Sequence, residues 1–388
     1  MIEFCKYWIV GFSIVVFFSS CVSHKAKYRG SWAYSDKVDQ AYYTVYLIGD
    51  AGNVAKGESS NVLDHLKIEL DNADSNSAVV WLGDNIYPVG LAPEGSPYYS
   101  LGRHRLLAQL NTMTNHKGQK FFVPGNHDWY TYGRVGLRRQ ELLIDSFLLN
   151  TPNPNNQLNY FLPDKGCGDP QVVELNDSMG LLLMDSHWFL NDKVKRGDQS
   201  VCQVSNHKEF LDQLKEEVDS NKDKSLIVAS HHPPYTYSRH GGKFSFKDYV
   251  FPLTQKIDWL YIPLPFPGFS FNKLRIRLSE QDMFHPVYID YRNSINSILD
   301  QKGRSIVASG HEHTLQYIES HNQYYIVSGS GSKTNKVGLG KGSQFSIGEK
   351  GYVKIIFESA KEALVQFIIP GQFEGQSNVA FEKRISLE

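Results

Sequence analysis

Little in this sequence is extreme, and each thing it lacks removes a class of answer. The 388 residues carry 40 Lys and Arg against 41 Asp and Glu, a formal net charge of −1, so nothing electrostatic argues for nucleic acid as a specific partner. No polybasic block, heptad run or low-complexity tract interrupts the chain. Beyond the amino terminus there is no long apolar run either. There, Tyr7 to Ser20 is uncharged and rich in Ile, Val and Phe, yet shorter than the ~20 residues a comfortable membrane span needs. Residues 1–21 therefore read as a secretory signal. Cysteine is scarce, with four in all. Cys5 and Cys21 belong to that leader. Cys167 and Cys202 remain as one candidate disulfide for an oxidising compartment, the alternative being two unrelated thiols.

What is present is a core and a repeated grammar. A hydrophobic content of 41%, with 13% aromatic, suits a globular chain with a sizeable core. Five apolar runs, each long enough for one buried strand, stop at a turn and deliver a side chain capable of binding a metal. Val45–Gly49 ends in Asp50, and Val79–Gly83 ends in Asp84 with Tyr87 three residues on. Phe121–Gly125 ends in Asn126-His127-Asp128, Leu226–Ser230 in His231-His232, and Ile306–Gly310 in His311-Glu312-His313. Ligands in open α/β sheets sit beyond the carboxyl ends of strands, so these side chains are expected on one rim. Helical periodicity over Ser60–Asp71, Leu101–Met113, Leu137–Leu149 and Asn206–Asp219 alternates with the strands and predicts a layered α/β fold. After His313 the strands Gln323–Val327, Tyr352–Phe357 and Ala363–Ile369 follow without helices and are expected to form a second sheet of the same domain, 43–388.

Carboxylates, an amide oxygen and imidazoles on one rim suit two adjacent first-row metal ions, the usual solution for phosphoester hydrolysis. In order, Gly49-Asp50-Ala51-Gly52, Gly83-Asp84-Asn85, Gly125-Asn126-His127-Asp128, His231-His232-Pro233 and Gly310-His311-Glu312-His313 resemble the five blocks of the calcineurin-like metallophosphoesterases. Gly52 stands where many relatives carry a metal-binding histidine, while Tyr87 and the run Ser309–Tyr317 resemble the small, tartrate-resistant type of purple acid phosphatase. The resemblance implies a four-layer α/β/β/α sandwich of two mixed sheets with flanking helices. It further implies that Asp50, Tyr87 and His313 hold a first metal, Asn126, His231 and His311 a second, and that Asp84 bridges them. Tyrosine at the first site favours Fe(III), with Fe(II), Zn or Mn at the other. His127 and His240 would face the phosphate, and Asp128 would orient His127 or a neighbouring ligand. Of the adjacent pair, His231 rather than His232 is the ligand by this resemblance. The implied reaction is phosphomonoester hydrolysis with a metal-bridging hydroxide as nucleophile. Its rivals are a phosphodiesterase or pyrophosphatase acting on nucleotides or lipid head groups, and a phosphate-binding protein without catalysis.

Three segments lie outside that scheme. Ser19-Ser20-Cys21 resembles a bacterial lipoprotein signal, in which Cys21 is lipidated and the domain is held on the cell envelope. An ordinary signal peptide or an uncleaved anchor are the alternatives. Residues 22–42 have little apolar content and read as a tether. Residues 251–289 form an aromatic, proline-rich insert whose prolines are expected to bar a long helix. That insert is expected to pack on the domain's own flank, since most aromatic-rich runs are buried, with a lid or a membrane-touching surface as the alternative.

Overall fold

In the computed structural model, residues 22–388 are described apart from 37, 59, 154–155, 195–199, 256, 258 and 372–377. The leader and the lipidation candidate Cys21 lie outside the described residues. In chain order the strands are β1 (Lys27–Tyr28), β2 (Tyr43–Ile48), β3 (Ser77–Trp81), β4 (Gln119–Phe122), β5 (Gln171–Asn176), β6 (Met179–Leu183) and β7 (Ser225–Ser230). They continue as β8 (Ile306–Ser309), β9 (Leu315–Ser320), β10 (Gln323–Ser328), β11 (Ser343–Ile347), β12 (Tyr352–Phe357), β13 (Glu362–Ile368) and β14 (Val379–Ser386). The α-helices are α1 (Asn61–Asn72), α2 (Tyr99–Leu110), α3 (Asn126–Trp129), α4 (Gly133–Leu148) and α5 (Ser186–Leu190). They are followed by α6 (His207–Ser220), α7 (Phe246–Val250), α8 (Pro265–Leu278) and α9 (Pro286–Lys302).

The strands form a six-stranded sheet, β14-β13-β12-β2-β3-β4, and an eight-stranded sheet, β1-β11-β9-β10-β8-β7-β6-β5. Both are mixed: β2, β3 and β4 run parallel, as do β6, β7, β8 and β10, and the remaining pairs are antiparallel. Side-chain alternation along the buried strands builds the layers. Val45, Leu47, Val80, Ile227 and Ala308 enter the apolar cluster that joins the two sheets. Tyr46, Ile48, Trp81 and Val228 face the other way, onto Leu66 of α1, Leu106 of α2, Ile144 of α4, Leu214 of α6 and Ile295 of α9. The result is the α/β/β/α sandwich.

Several expectations need correction. The strands after His313 do not make a sheet of their own: β10 extends the β7–β8 sheet, whereas β12 and β13 continue outward from β2. The insert does contain a long helix. Pro265 begins α8, in the first turn where a missing N–H costs no hydrogen bond. The insert's last residues belong to α9, which buries Tyr288, Tyr291, Ile295 and Leu299. Residues 22–36 are laid along the domain and do not hang free. Val22 is buried, β1 pairs with β11, and Trp32 packs edge-on to Phe381 at 5.5 Å between ring centroids. Few apolar residues suffice there because Tyr28 and Trp32 are large. Cys167 and Cys202 are joined as a disulfide, with Cα atoms 5.4 Å apart.

Lys120 in β4 is 1% exposed and donates to the carbonyls of Pro152 (2.8 Å) and Gly118 (3.3 Å). Burial pushes its ammonium down to about 8. The unfolded chain keeps that proton until about pH 10.4, so the buried charge opposes folding fully below pH 8 and the penalty fades as pH rises toward 10.4. Lys120→Met is expected to stabilise the protein by about 1–2 kcal/mol at pH 7, after allowance for partial screening. The gain should vanish by about pH 10.4 in denaturant unfolding. A gain independent of pH would show that the buried ammonium is not its origin.

Candidate metal centre

The turns after β2, β3, β4, β7 and β8 converge, although these strands belong to two different sheets. Gly52 is where the first two turns meet. Its amide donates to Asp84 O at 3.2 Å, and its carbonyl accepts from Tyr87 N at 3.0 Å. A Cβ at Gly52 would lie 2.3 Å from both the carbon and the oxygen of the Asn85 carbonyl. The place of the relatives' histidine is therefore filled by backbone of the second turn, and the same contact brings Tyr87 inward. The Tyr87 hydroxyl donates to Asp50 Oδ1 at 2.7 Å and lies 3.1 Å from His313 Nε2, which is 3.4 Å from Asp50 Oδ1. Burial, then the charge of Asp50, pushes the Tyr87 phenol well above its usual range.

A second group forms around Asn126. Its Nδ2 donates to Tyr130 Oη at 2.9 Å, which turns Oδ1 inward to 3.1 Å from His231 Nε2 and 3.1 Å from His311 Nδ1. The opposite nitrogens of both rings are occupied as donors: His231 Nδ1 to Leu82 O at 2.7 Å, and His311 Nε2 to Gln281 O at 3.3 Å. Burial, then neighbouring imidazoles, hold His311 well below its ordinary range. With both rings neutral and donating to those carbonyls, three lone pairs would face one another with no hydrogen among them. Such a donor set repels itself unless a cation lies between, so the residues fit a metal ion. Asp50, Asp84 and His231 make an overlapping set, with one potential ligand atom of each lying within 4.8 Å of the others.

Asp84 lies between the two groups. Its Oδ1 accepts from His127 N at 2.8 Å and is 3.4 Å from His231 Nε2. Burial pushes Asp50 up to about 7, against the pull of His231. Burial also works to raise Asp84, but His231, His127 and the His127 amide outweigh it and hold Asp84 below the usual carboxylate range. His127 donates from Nδ1 to Pro88 O at 2.6 Å, and its Nε2 is 3.9 Å from Asp84 Oδ2. His240 pairs through Nδ1 with Asp282 at 2.8 Å, and its amide donates to Glu312 Oε1 at 2.8 Å.

Of the two roles expected for Asp128, the structure shows the one toward a neighbouring candidate ligand. Asp128 does not touch the His127 ring. Its carboxylate accepts from Gly125 N, Asn85 N, Asn85 Nδ2 and Ile86 N at 2.8–3.1 Å, clamping the turn that carries Asp84. His232 is as buried as His231, but Gln281 Oε1 (2.6 Å) and Ser186 Oγ (2.8 Å) occupy its two nitrogens. Trp129 packs in the core and donates to Asp185, whereas Tyr130 lies 4.8 Å from the His127 ring. Sequence reasoning missed Gln281 and Asp282, which belong to the insert and follow no motif. It also missed Lys333, whose Nζ stands 3.5 Å over the Tyr87 ring. The run Ser328-Gly329-Ser330-Gly331-Ser332 after β10 repeats the strand-then-turn grammar and could have pointed to it.

Returning the relatives' histidine should fail. Gly52→His in a Tyr87→Phe background is expected to restore no metal by elemental analysis, and to lower stability by roughly 1–3 kcal/mol in denaturant unfolding. Restored metal at unchanged stability would refute the steric account.

The family described as calcineurin-like phosphoesterase matches residues 43–315. No curated protein matches the chain in sequence. Among solved structures of similar fold is GAP50, the anchor in the inner membrane complex of Plasmodium, at 16% identity and a TM-score of 0.51, covering 90% of each chain. The purple acid phosphatase PPD1 from yellow lupin is similar at 14% identity and 0.51, over 89% of this chain and 54% of that one. PhoD is similar at 10% identity and 0.50, over 89% of this chain and 68% of that one. Identities this low speak for the fold alone. The family match spans most of the chain, including all five turns that meet at the centre, and by it the chain belongs to the calcineurin-like phosphoesterases and is a phosphoester hydrolase.

Proposed function

We propose that this chain is an exported, binuclear metal-dependent phosphomonoesterase of the purple acid phosphatase type. The observation that carries the reading is the convergence of Asn126 Oδ1, His231 Nε2 and His311 Nδ1 beside the Asp50, Tyr87 and His313 group. Asn126, His231 and His311 would hold one cation, Asp50, Tyr87 and His313 the other, and Asp84 would lie between. When bound, the pair supplies Lewis-acid neutralisation of phosphoryl oxygens and activation of water. A hard phenolate ligand suits Fe(III) at the tyrosine site, and the amide and imidazole set suits Fe(II), Zn or Mn.

The chain's own residues do the rest. His127 is anchored by Pro88 O through Nδ1, so its Nε2 is the atom available to a phosphoryl oxygen. Lys333 adds positive charge to the same rim. A water oxygen attacks phosphorus opposite the ester oxygen, the P–O bond breaks, and the leaving alkoxide takes a proton from His240 Nε2. Burial lowers the His240 pKa, but the hydrogen bond to Asp282 and the charge of Glu312 outweigh it and raise it overall, so the ring keeps a proton to give. Export is supported by the Cys167–Cys202 bridge, a bond that persists in oxidising compartments.

Metal analysis with a visible spectrum tests the assignment. Two metal ions per chain and a tyrosinate-to-iron charge-transfer band that disappears in Tyr87→Phe are expected. Two zinc or manganese ions without the band would remove the iron assignment and leave the hydrolase. His127→Ala should lower kcat on p-nitrophenyl phosphate by roughly 10²–10⁴. Faster turnover of bis-p-nitrophenyl phosphate than of the monoester would move the assignment to a phosphodiesterase.

A further inference from the structure

We propose that the insert is a docking surface for an anionic lipid bilayer. Large exposed hydrophobic side chains are concentrated there: nine of the nineteen among the described residues fall between Phe246 and Phe284. Trp259 is 77% exposed, Leu278 69% and Leu274 57%. The expectation that the insert packs on the domain's flank holds for one face only. Helix α8 turns Gly268, Asn272 and Ile276 inward, where Ile276 meets Phe244 and Tyr249 in a small cluster separate from the main core. Phe271, Leu274 and Leu278 form a second apolar stripe, at positions i, i+3 and i+7, which faces out. A helix apolar on both faces needs a partner on both, and the described residues cover one.

Three observations name the partner. First, the exposed set combines aliphatic side chains with Trp259 and Tyr261, rings whose apolar bodies and polar edges suit the membrane interface. Second, Lys243 to Leu278 holds six Lys or Arg against two Asp in a chain that is otherwise near neutral, so the apolar patch is set in positive charge. A cavity of about 450 Å³ beside it is lined by Arg239, Lys243, Lys247 and Lys336, with Asp248 the one acidic lining residue. Third, Val22, the residue that follows the apolar leader in the sequence, lines that same cavity. No helix among the described residues is long and apolar enough to cross a membrane, so the insert would lie on the bilayer. α8 leads straight into Ser279–Phe284, which carries Gln281 and Asp282 to the metal centre, so docking brings the cleft to the lipid surface.

The full-length chain tests this through Trp259, read as the difference between parent and Trp259→Phe so that the other five tryptophans cancel. With phosphatidylglycerol vesicles, the Trp259 emission should shift to the blue and be quenched by brominated acyl chains. The quenching should fall several-fold with phosphatidylcholine or in ~1 M salt, where the Debye length shrinks to ~3 Å. The double substitution Leu274→Ser and Leu278→Ser should weaken it at least ~5-fold while turnover of soluble p-nitrophenyl phosphate is retained. Emission unchanged by vesicles, even when the protein sediments with them through its leader, overturns the proposal. So does shielding of Trp259 that grows with protein concentration in the absence of lipid, which would mark a second copy as the occupant. A metal-loaded parent that shows the lipid signal but does not turn over p-nitrophenyl phosphate would instead count against the phosphatase reading.

Discussion

Backbones touch at this centre where side chains would ordinarily hold them apart, and the rest of the site depends on that contact. Parallel strands β2, β3 and β4 lie at ~4.8 Å spacing, so the turns leaving their ends compete for one volume. A Cβ at Gly52 would strike Asn85, and one at Gly125 would lie 2.2 Å from Asp84 N. With glycine at both places the turns close on each other, and Asp50, Asp84 and Asn126 come together at one rim. The closure strains the chain. Asp50, Asp84 and His311 sit at φ of 57°, 55° and 66°, a region that costs a non-glycine residue roughly 1–2 kcal/mol. Charge-assisted hydrogen bonds offset the strain: His311 N to Asp50, His127 N to Asp84, and four donors to Asp128.

One pattern recurs among the imidazoles. Four of the five proposed functional rings are gripped at one nitrogen and present the other. Leu82 O holds His231, Gln281 O holds His311, Pro88 O holds His127 and Asp282 holds His240. His232 is hydrogen-bonded at both nitrogens, although it lies close enough to His231 and His311 to join them around an ion. Outer partners of this kind set ring orientation and tautomer. Two of them, Gln281 and Asp282, come from the insert. The segment that looks least related to the chemistry therefore completes the centre, and its outer face remains apolar and basic.

Much of the architecture was legible because buried strands and their turns leave local marks. The five strand ends and helices α1, α2, α4 and α6 all stand near where periodicity and turn residues put them. The failures have physical causes. Prolines suggested that no long helix could form at 265–278, yet a proline in the first turn breaks nothing. Helix α9 was hidden by the aromatic insert running into it, although Tyr288, Tyr291, Ile295 and Leu299 carry helical spacing. Strands β9, β11 and β14 are short or polar at one end and were missed. Residues 22–36 contain too few apolar residues to announce that they dock.

The sequence by itself determined the kinds of donor atom and the strands that carry them, because an apolar run followed by glycine and a polar side chain is a local pattern. The resemblance to purple acid phosphatases added that Tyr87 belongs with Asp50, since Gly52 stands where many relatives carry a histidine. Only the tertiary structure decided which sheet each strand joins, which of two adjacent histidines keeps a free nitrogen, and what Asp128 holds. It alone brought Gln281, Asp282 and Lys333 to the centre and left one face of α8 bare. Those outcomes rest on contacts between segments far apart in the chain, and no local pattern encodes them.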